Sequence, residues 1–144
     1  MIVRGYDIAA VNRKRFVTGM TGVYFVAAEL SSRGYVVTTT ARNAPGVDIM
    51  ASRPNLKKAY NIQVKANKPY GTQSFWLLGK DARKLVSPNF FYVFVNLKEN
   101  EKPDFYVVRS AVVARNIDVS HTKRGHWYSF QRNARYKDRW ALLK

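Results

Sequence analysis

The apolar positions of this chain change their period along its length, and each change marks an element. Between residues 19 and 33 the set Val23, Val26, Ala27 and Leu30 keeps i, i+3, i+4, i+7 spacing, which predicts an amphipathic helix. Thr18 or Thr21 would cap its start and Gly34 would end it. Residues 1–18, with Arg13, Lys14 and Arg15 among polar and small side chains, follow neither period. A short helix and an arm touching phosphate both fit them. Residues 35–40 are dense in β-branched and aromatic side chains and predict a strand, followed by a turn through Arg42, Asn43, Pro45 and Gly46. Two short apolar runs come next, one of Val47, Ile49, Met50 and Ala51, the other of Ile62, Val64 and Ala66. The polar, basic stretch 52–58 between them predicts a hairpin.

Farther along, residues 74–78 predict a short strand and 80–86 a brief helix with Lys80, Arg83 and Lys84 on its wet side. Residues 89–97 are the most strand-like run and predict a central strand. A turn at Glu99, Asn100, Glu101 and Pro103 leads to its partner at 104–108, and Ser110 is placed to cap a helix through 111–114. From His121 onward the chain is polar, basic and aromatic, with a final helix predicted over 136–143 that turns Trp140 and Leu143 inward. The order helix, three strands, helix, two strands, helix predicts an α/β fold, a mixed central β-sheet flanked by helices. We expect one domain over 1–144, its core at about 18–116 and a basic aromatic segment at about 117–144.

Composition narrows the function. An apolar fraction of 47% with 14% aromatics is that of a packed chain, so disorder is excluded. There is no cysteine, hence neither a disulfide framework nor a thiolate metal site. No apolar run approaches the ~18 residues of a membrane span, and residues 1–7 do not read as a signal peptide. The expectation is a soluble cytoplasmic protein with no membrane partner. The 25 Lys and Arg outnumber the 9 Asp and Glu to give a net charge of +16. Lys and Arg release the counterions condensed on a polyanion, so nucleic acid is the expected partner, DNA ahead of RNA. Arg42, Asn43, Lys57, Lys58, Lys68, Lys123, Arg124, Arg132 and Arg135 are the candidate contacts. Trp127 and Tyr128 are candidates for stacking on unpaired bases, although aromatics at such spacing more often belong to a core. His121 and His126, five apart with no cysteine nearby, read as exposed or as phosphate contacts rather than as a metal site.

The chemistry concentrates in the predicted hairpin. Strand side chains alternate faces, so Gln63 and Lys65 share one face while Ile62, Val64 and Ala66 take the other. Pairing of the two strands would bring the Asp48 acid, an amide oxygen and an ammonium together, the raw material of a metal-assisted phosphodiester site. Pro45, Gly46, Val47, Asp48 and Ile49, followed by Gln63-Val64-Lys65, resemble the Asp and (Glu/Gln)-x-Lys signature of the PD-(D/E)XK nuclease superfamily. Residues 21–35 are similar to that fold's first helix, and the resemblance covers about residues 18–68.

The resemblance implies a restriction-endonuclease-like αβββαβ core and a metal-dependent nuclease. Asp48, Gln63 and the Val64 carbonyl would hold Mg²⁺ or Mn²⁺, and Lys65 would orient or activate the attacking water. A homodimer cutting two strands is the assembly common among related nucleases. Two positions depart from the family pattern. Residue 63 is Gln where many members carry Glu, and Val23 stands where many carry a helix Glu. A charge pair at ~4 Å is worth about 4 kcal/mol at an effective dielectric of about 20, so two missing carboxylates imply a weakly held ion. Glu29 lies about 240° round the helix from residue 23 at the ~100° per residue of an α-helix, so it does not replace the missing acid. Asp7, Asp81 and Asp104 have no assigned role. The rival readings are a nucleic-acid-binding protein that keeps the fold without efficient hydrolysis and, more remotely, a basic protein that binds an acidic protein.

Overall fold

The first helix of the computed structural model, α1 (Ile8–Ser32), begins well before the apolar stripe of the sequence does. The structure describes residues 8–41, 46–55, 57–68 and 74–144. Arg13, Lys14 and Arg15 are therefore helical and exposed. This half of α1 overhangs the end of a sheet and has little to pack on, so it carries no stripe to read. Thr21 does not cap the helix: its hydroxyl donates to the Val17 carbonyl, 2.7 Å away within α1. The C-terminus is as expected, with Gly34 in the left-handed region at φ 88° and the Tyr35 N–H bonded back to the Leu30 carbonyl at 3.1 Å.

Five strands form a mixed sheet in the order β1 (Val36–Thr39), β2 (Ile49–Ser52), β3 (Ala59–Asn67), β5 (Phe90–Lys98), β6 (Glu101–Arg109). All neighbours are antiparallel except β3 and β5, which run parallel. Between those two the chain makes β4 (Phe75–Leu78) and a single 3₁₀ turn, Lys80–Arg83, where a brief helix was expected. Pro103 lies inside β6 rather than in the preceding turn, which an edge strand tolerates. Helix α2 (Ser110–Arg115) follows, but Ser110 is not its cap. Its buried hydroxyl instead donates to the Ser87 carbonyl and accepts the Ser87 N–H.

Val23, Val26 and Leu30 of α1 bury one face of the sheet against Ile49, Ile62, Val64, Val93 and Val95. Close seating of helix on strand requires Gly22, where a Cβ would stand 2.6 Å from the Ala66 Cβ. The opposite face is aromatic and is covered by a second sheet, in the order β4, β8 (Gly125–Gln131), β7 (Asp118–Thr122), rather than by helix alone. There Phe94 of β5 stacks on Phe130 at 4.8 Å between centroids. Strand β5 is thus buried on both faces, which is why it reads as an unbroken apolar run.

Strands β7 (Asp118–Thr122) and β8 (Gly125–Gln131) form a hairpin where the sequence showed only a basic aromatic stretch. The expected helix over 136–143 is replaced by two single 3₁₀ turns, Ala134–Tyr136 and Trp140–Leu142. Asp138 between them has φ 52°, which breaks any continuous helix. Trp140 and Leu143 nevertheless turn inward as expected, and the Tyr35 and Tyr60 hydroxyls donate to the Leu143 and Lys144 carbonyls. No helix among the described residues is long and apolar enough to cross a membrane.

Candidate active site

The β2–β3 ladder stops at Asp48, and the way it stops shapes the site. The Asp48 N–H donates to the Ile62 carbonyl at 2.9 Å. The Val64 N–H, however, donates to Asp48 Oδ2 at 2.7 Å, so a side-chain carboxylate stands where a main-chain acceptor would continue the ladder. A carboxylate fixed by a backbone amide is held in one orientation. Its other oxygen has no hydrogen-bond or ion-pair partner among the described residues.

Gln63 and Lys65 project from β3 away from the Ile62 and Val64 side, as the alternation predicts, and both are half-buried. They line a small cavity of about 170 Å³ together with Gly46, Asp81 and Tyr92. Neither makes a hydrogen bond or ion pair among the described residues. Burial pushes the Lys65 ammonium below the ordinary lysine range, and the negative charge of Asp48 opposes that shift. Asp48 and Lys65 thus feel one another without closing an ion pair. Asp48 lines a neighbouring cleft rather than the small cavity that Gln63 and Lys65 line.

That cleft lies between the first half of α1 and the ends of β2 and β3. Its inner part, about 320 Å³, is lined by Arg15, Gly19, Val23, Asp48 and Val64. Its outer part, about 610 Å³, shares Arg15, Gly19 and Val64 and adds Lys14, Thr18, Lys65 and Lys68. Arg15 thus shares the space of Asp48, and Lys14, Lys65 and Lys68 line the adjoining part. The sequence offered Lys14 and Arg15 only as part of a short helix or a phosphate-touching arm, and the early start of α1 brings them here. Val23, 7% exposed, faces the same space as Asp48, which is where a helix carboxylate would have stood.

The other acids are elsewhere or engaged. Glu29 is held by Arg33 and by Lys102, each at 3.0 Å. Burial tends to raise its pKa, but the hydrogen bonds from Lys102 and Arg33 outweigh that and leave it lowered. Asp104 pairs with Lys98 and Lys137. Asp81 is exposed on the rim of the small cavity. Among the described residues no group of three or more His, Cys, Asp and Glu converges. Asp48 offers a free oxygen and Gln63 an uncommitted amide, donors of the kind a hard divalent cation takes, but the two line different cavities.

The candidate nucleic-acid contacts are scattered. Lys68 lies in the cleft, Lys57 and Lys58 line a separate cavity, and Lys123 and Arg124 form the exposed tip of the β7–β8 hairpin. Arg132 and Arg135 are exposed just after β8, whereas Arg42, Asn43 and Asp7 lie outside the described residues. Trp127 is 51% exposed, and Tyr128 is half-buried beneath the Arg83 guanidinium at 5.1 Å. His121 and His126 face each other across the hairpin with their Nδ1 atoms 2.5 Å apart.

No family model matches the chain, and no curated protein matches it. Among solved structures it is similar to the bacterial homing endonuclease I-Ssp6803I, with 13% identity, 88% of each chain covered and a TM-score of 0.55. The shared property is the fold. A nuclease-like α/β architecture is thus carried by this chain with little sequence in common.

Proposed function

We propose that this chain is a metal-dependent nuclease of the PD-(D/E)XK type, acting on DNA, with Asp48, Gln63 and Lys65 as its site. The observation that carries the reading is the Asp48 carboxylate. It is fixed through Oδ2 to the Val64 amide and bare at its other oxygen, beside a desolvated, unpaired Lys65 in a cationic cleft. The fold shared with a homing endonuclease supports it. Asp48, the Gln63 amide oxygen and the Val64 carbonyl would hold Mg²⁺ or Mn²⁺, which supplies electrostatic stabilisation of a phosphodiester under attack.

The chain's own residues have separable tasks. Lys14, Arg15 and Lys68 bind backbone phosphates along the cleft and set the strand's path. Lys65, poorly hydrated, places its ammonium where negative charge grows on the phosphoryl oxygens and donates to the attacking water. An ammonium already stripped of water needs little reorganisation for that task. Gln63 would add an oxygen without charge, so these residues would hold the ion only weakly by themselves.

A second reading is a binding protein without turnover, and Val23 favours it because the cleft has one carboxylate where two would hold an ion firmly. The deciding experiment is cleavage of labelled DNA and RNA substrates with Mg²⁺ or Mn²⁺, with Asp48→Ala beside the unaltered protein. Metal-dependent cutting that disappears in the variant supports the nuclease. Binding by both proteins without cutting by either supports the second reading.

A further inference from the structure

The largest cavity described, about 710 Å³, lies at the other end of β3 from Lys65. Its walls come from the start of β3 (Lys57, Lys58, Ala59, Tyr60), the approach to β5 (Pro88, Asn89), the end of β6 (Arg109) and the C-terminal turn. It holds four side-chain cations, Lys57, Lys58, Arg109 and Lys144, from three segments and no Asp or Glu side chain. Lys57, Lys58 and Arg109 make no ion pair among the described residues. Arg109 lies over the Phe91 ring at 5.5 Å, which fixes its stem and leaves its guanidinium edge free. The Asn89 amide donates only a long 3.5 Å bond to the Ala59 carbonyl. Like charges gathered in a concavity without a counter-charge repel one another, and an anion removes that repulsion.

We propose that this cavity is a second phosphate-binding site, distinct from the cleft, and that it holds the backbone of the same nucleic acid that the cleft engages. It rests on the nucleic-acid reading above but not on cutting. From Ala59 to Lys65 is six steps of β3, or about 20 Å at ~3.3 Å per residue. Duplex DNA advances ~3.4 Å per base pair, so the two sites are about six base pairs apart. A substrate longer than that reaches both sites, and a shorter one fills only the cleft. The guanidinium and three ammonium groups also suit the phosphates of a free nucleotide, and the test below separates the two sources.

The test compares binding of a short duplex of about six base pairs and a long one of about twenty, without divalent metal, over a range of salt. Unaltered protein is measured beside the K57Q/K58Q/R109Q variant, whose three positions are exposed and distant from the cleft. Thermal unfolding checks that the variant is folded, and single K58Q serves if it is not. The expected result is a loss of about tenfold or more on the long duplex, with the salt slope lowered by up to ~2.7 for three phosphate contacts. Binding of the short duplex should not change. A second arm titrates pyrophosphate and a nucleoside triphosphate. Saturable binding lost in the variant, with duplex binding unaffected, assigns the cavity to a free nucleotide and overturns the shared-substrate claim. Equal duplex affinities and slopes, with no nucleotide binding, overturn the site altogether. Cutting by the unaltered protein is scored separately, so a failed nuclease reading is distinguishable from a failed second site.

Discussion

Two carboxylates on the α1 side of the sheet, Glu29 and Asp48, are used in opposite ways. Glu29 is spent on structure, with one oxygen taken by Arg33 and the other by Lys102. Asp48 has a cation close enough to feel but not to grip, and among the described residues the group that holds it is the uncharged Val64 amide. With 25 cations against 9 acids, an acid can readily find a partner. One that is fixed yet left half-open is therefore informative. Exposed ion pairs contribute little, and an aimed, unpaired carboxylate next to a desolvated ammonium is what a phosphoryl-transfer site requires.

The sharpest way to break the contrast is to neutralise each acid without changing its shape. Asp48→Asn keeps an acceptor for the Val64 N–H, so the fold should survive while cutting falls by at least about a hundredfold. Asp48→Ala should lose cutting equally and also destabilise by about 1–3 kcal/mol, because the Val64 N–H is then unsatisfied. Thermal unfolding beside a cleavage assay separates the two effects. Equal cutting by Asp48→Asn and the unaltered protein would end the functional reading of this acid.

Lys65→Met comes next. It should also remove cutting, yet melt at or above the temperature of the unaltered protein at pH 7. The sign follows from the lowered pKa, since folding buries a charge that the unfolded chain keeps in water. That penalty is full below the folded pKa and fades as pH rises toward the unfolded value of 10.5. The stability gap between variant and parent should therefore narrow in alkali. A variant that melts lower at pH 7 would mean that Lys65 is structural.

Val23→Glu adds a second carboxylate to the space Asp48 faces and should tighten Mn²⁺ binding by about tenfold, read by calorimetry, at a cost of about 1 kcal/mol in stability from lost apolar burial. Unchanged metal affinity would show that residue 23 does not reach the site. A smaller effect is expected at Tyr92, whose buried hydroxyl has no partner among the described residues and whose pKa burial pushes up to about 12. Its contribution is present below pH 10 and is lost between pH 10 and about 12, where only the unfolded chain ionises. Tyr92→Phe should then resist alkaline unfolding better and lose less than about 1 kcal/mol at pH 7. Smallest of all is Glu29→Gln, which should leave cutting unaltered and shift stability by less than about 1 kcal/mol.

How much of this could be read beforehand depended on period. The hairpin that carries Asp48, Gln63 and Lys65 was legible because strands alternate, and Ile62 and Val64 announced the buried face. The mixed sheet followed from β5, whose burial on both faces leaves no polar position to confuse it. The start of α1 stayed open between a short helix and an arm, since a helix that overhangs the sheet end needs no apolar stripe, and Lys14 and Arg15 could not be placed beside Asp48. Nor was the β7–β8 hairpin. Its strands are largely exposed, so His121, Lys123 and Arg124 mask an alternation carried by Val119, Tyr128 and Phe130. The supposed last helix failed because Trp140 and Leu143 match helical spacing while Asp138 adopts a conformation that no helix contains.

The contact of Gly22 with Ala66 has a mechanical meaning. It is a fulcrum: α1 touches β3 there with no side chain between, and from Gly22 back to Val11 the helix extends about 16 Å at ~1.5 Å per residue. A methyl group at position 22 would tip that arm outward and widen the jaw between α1 and the end of β3. In the proposed nuclease, the girth of the strand that enters would thus be set at a point that touches no substrate.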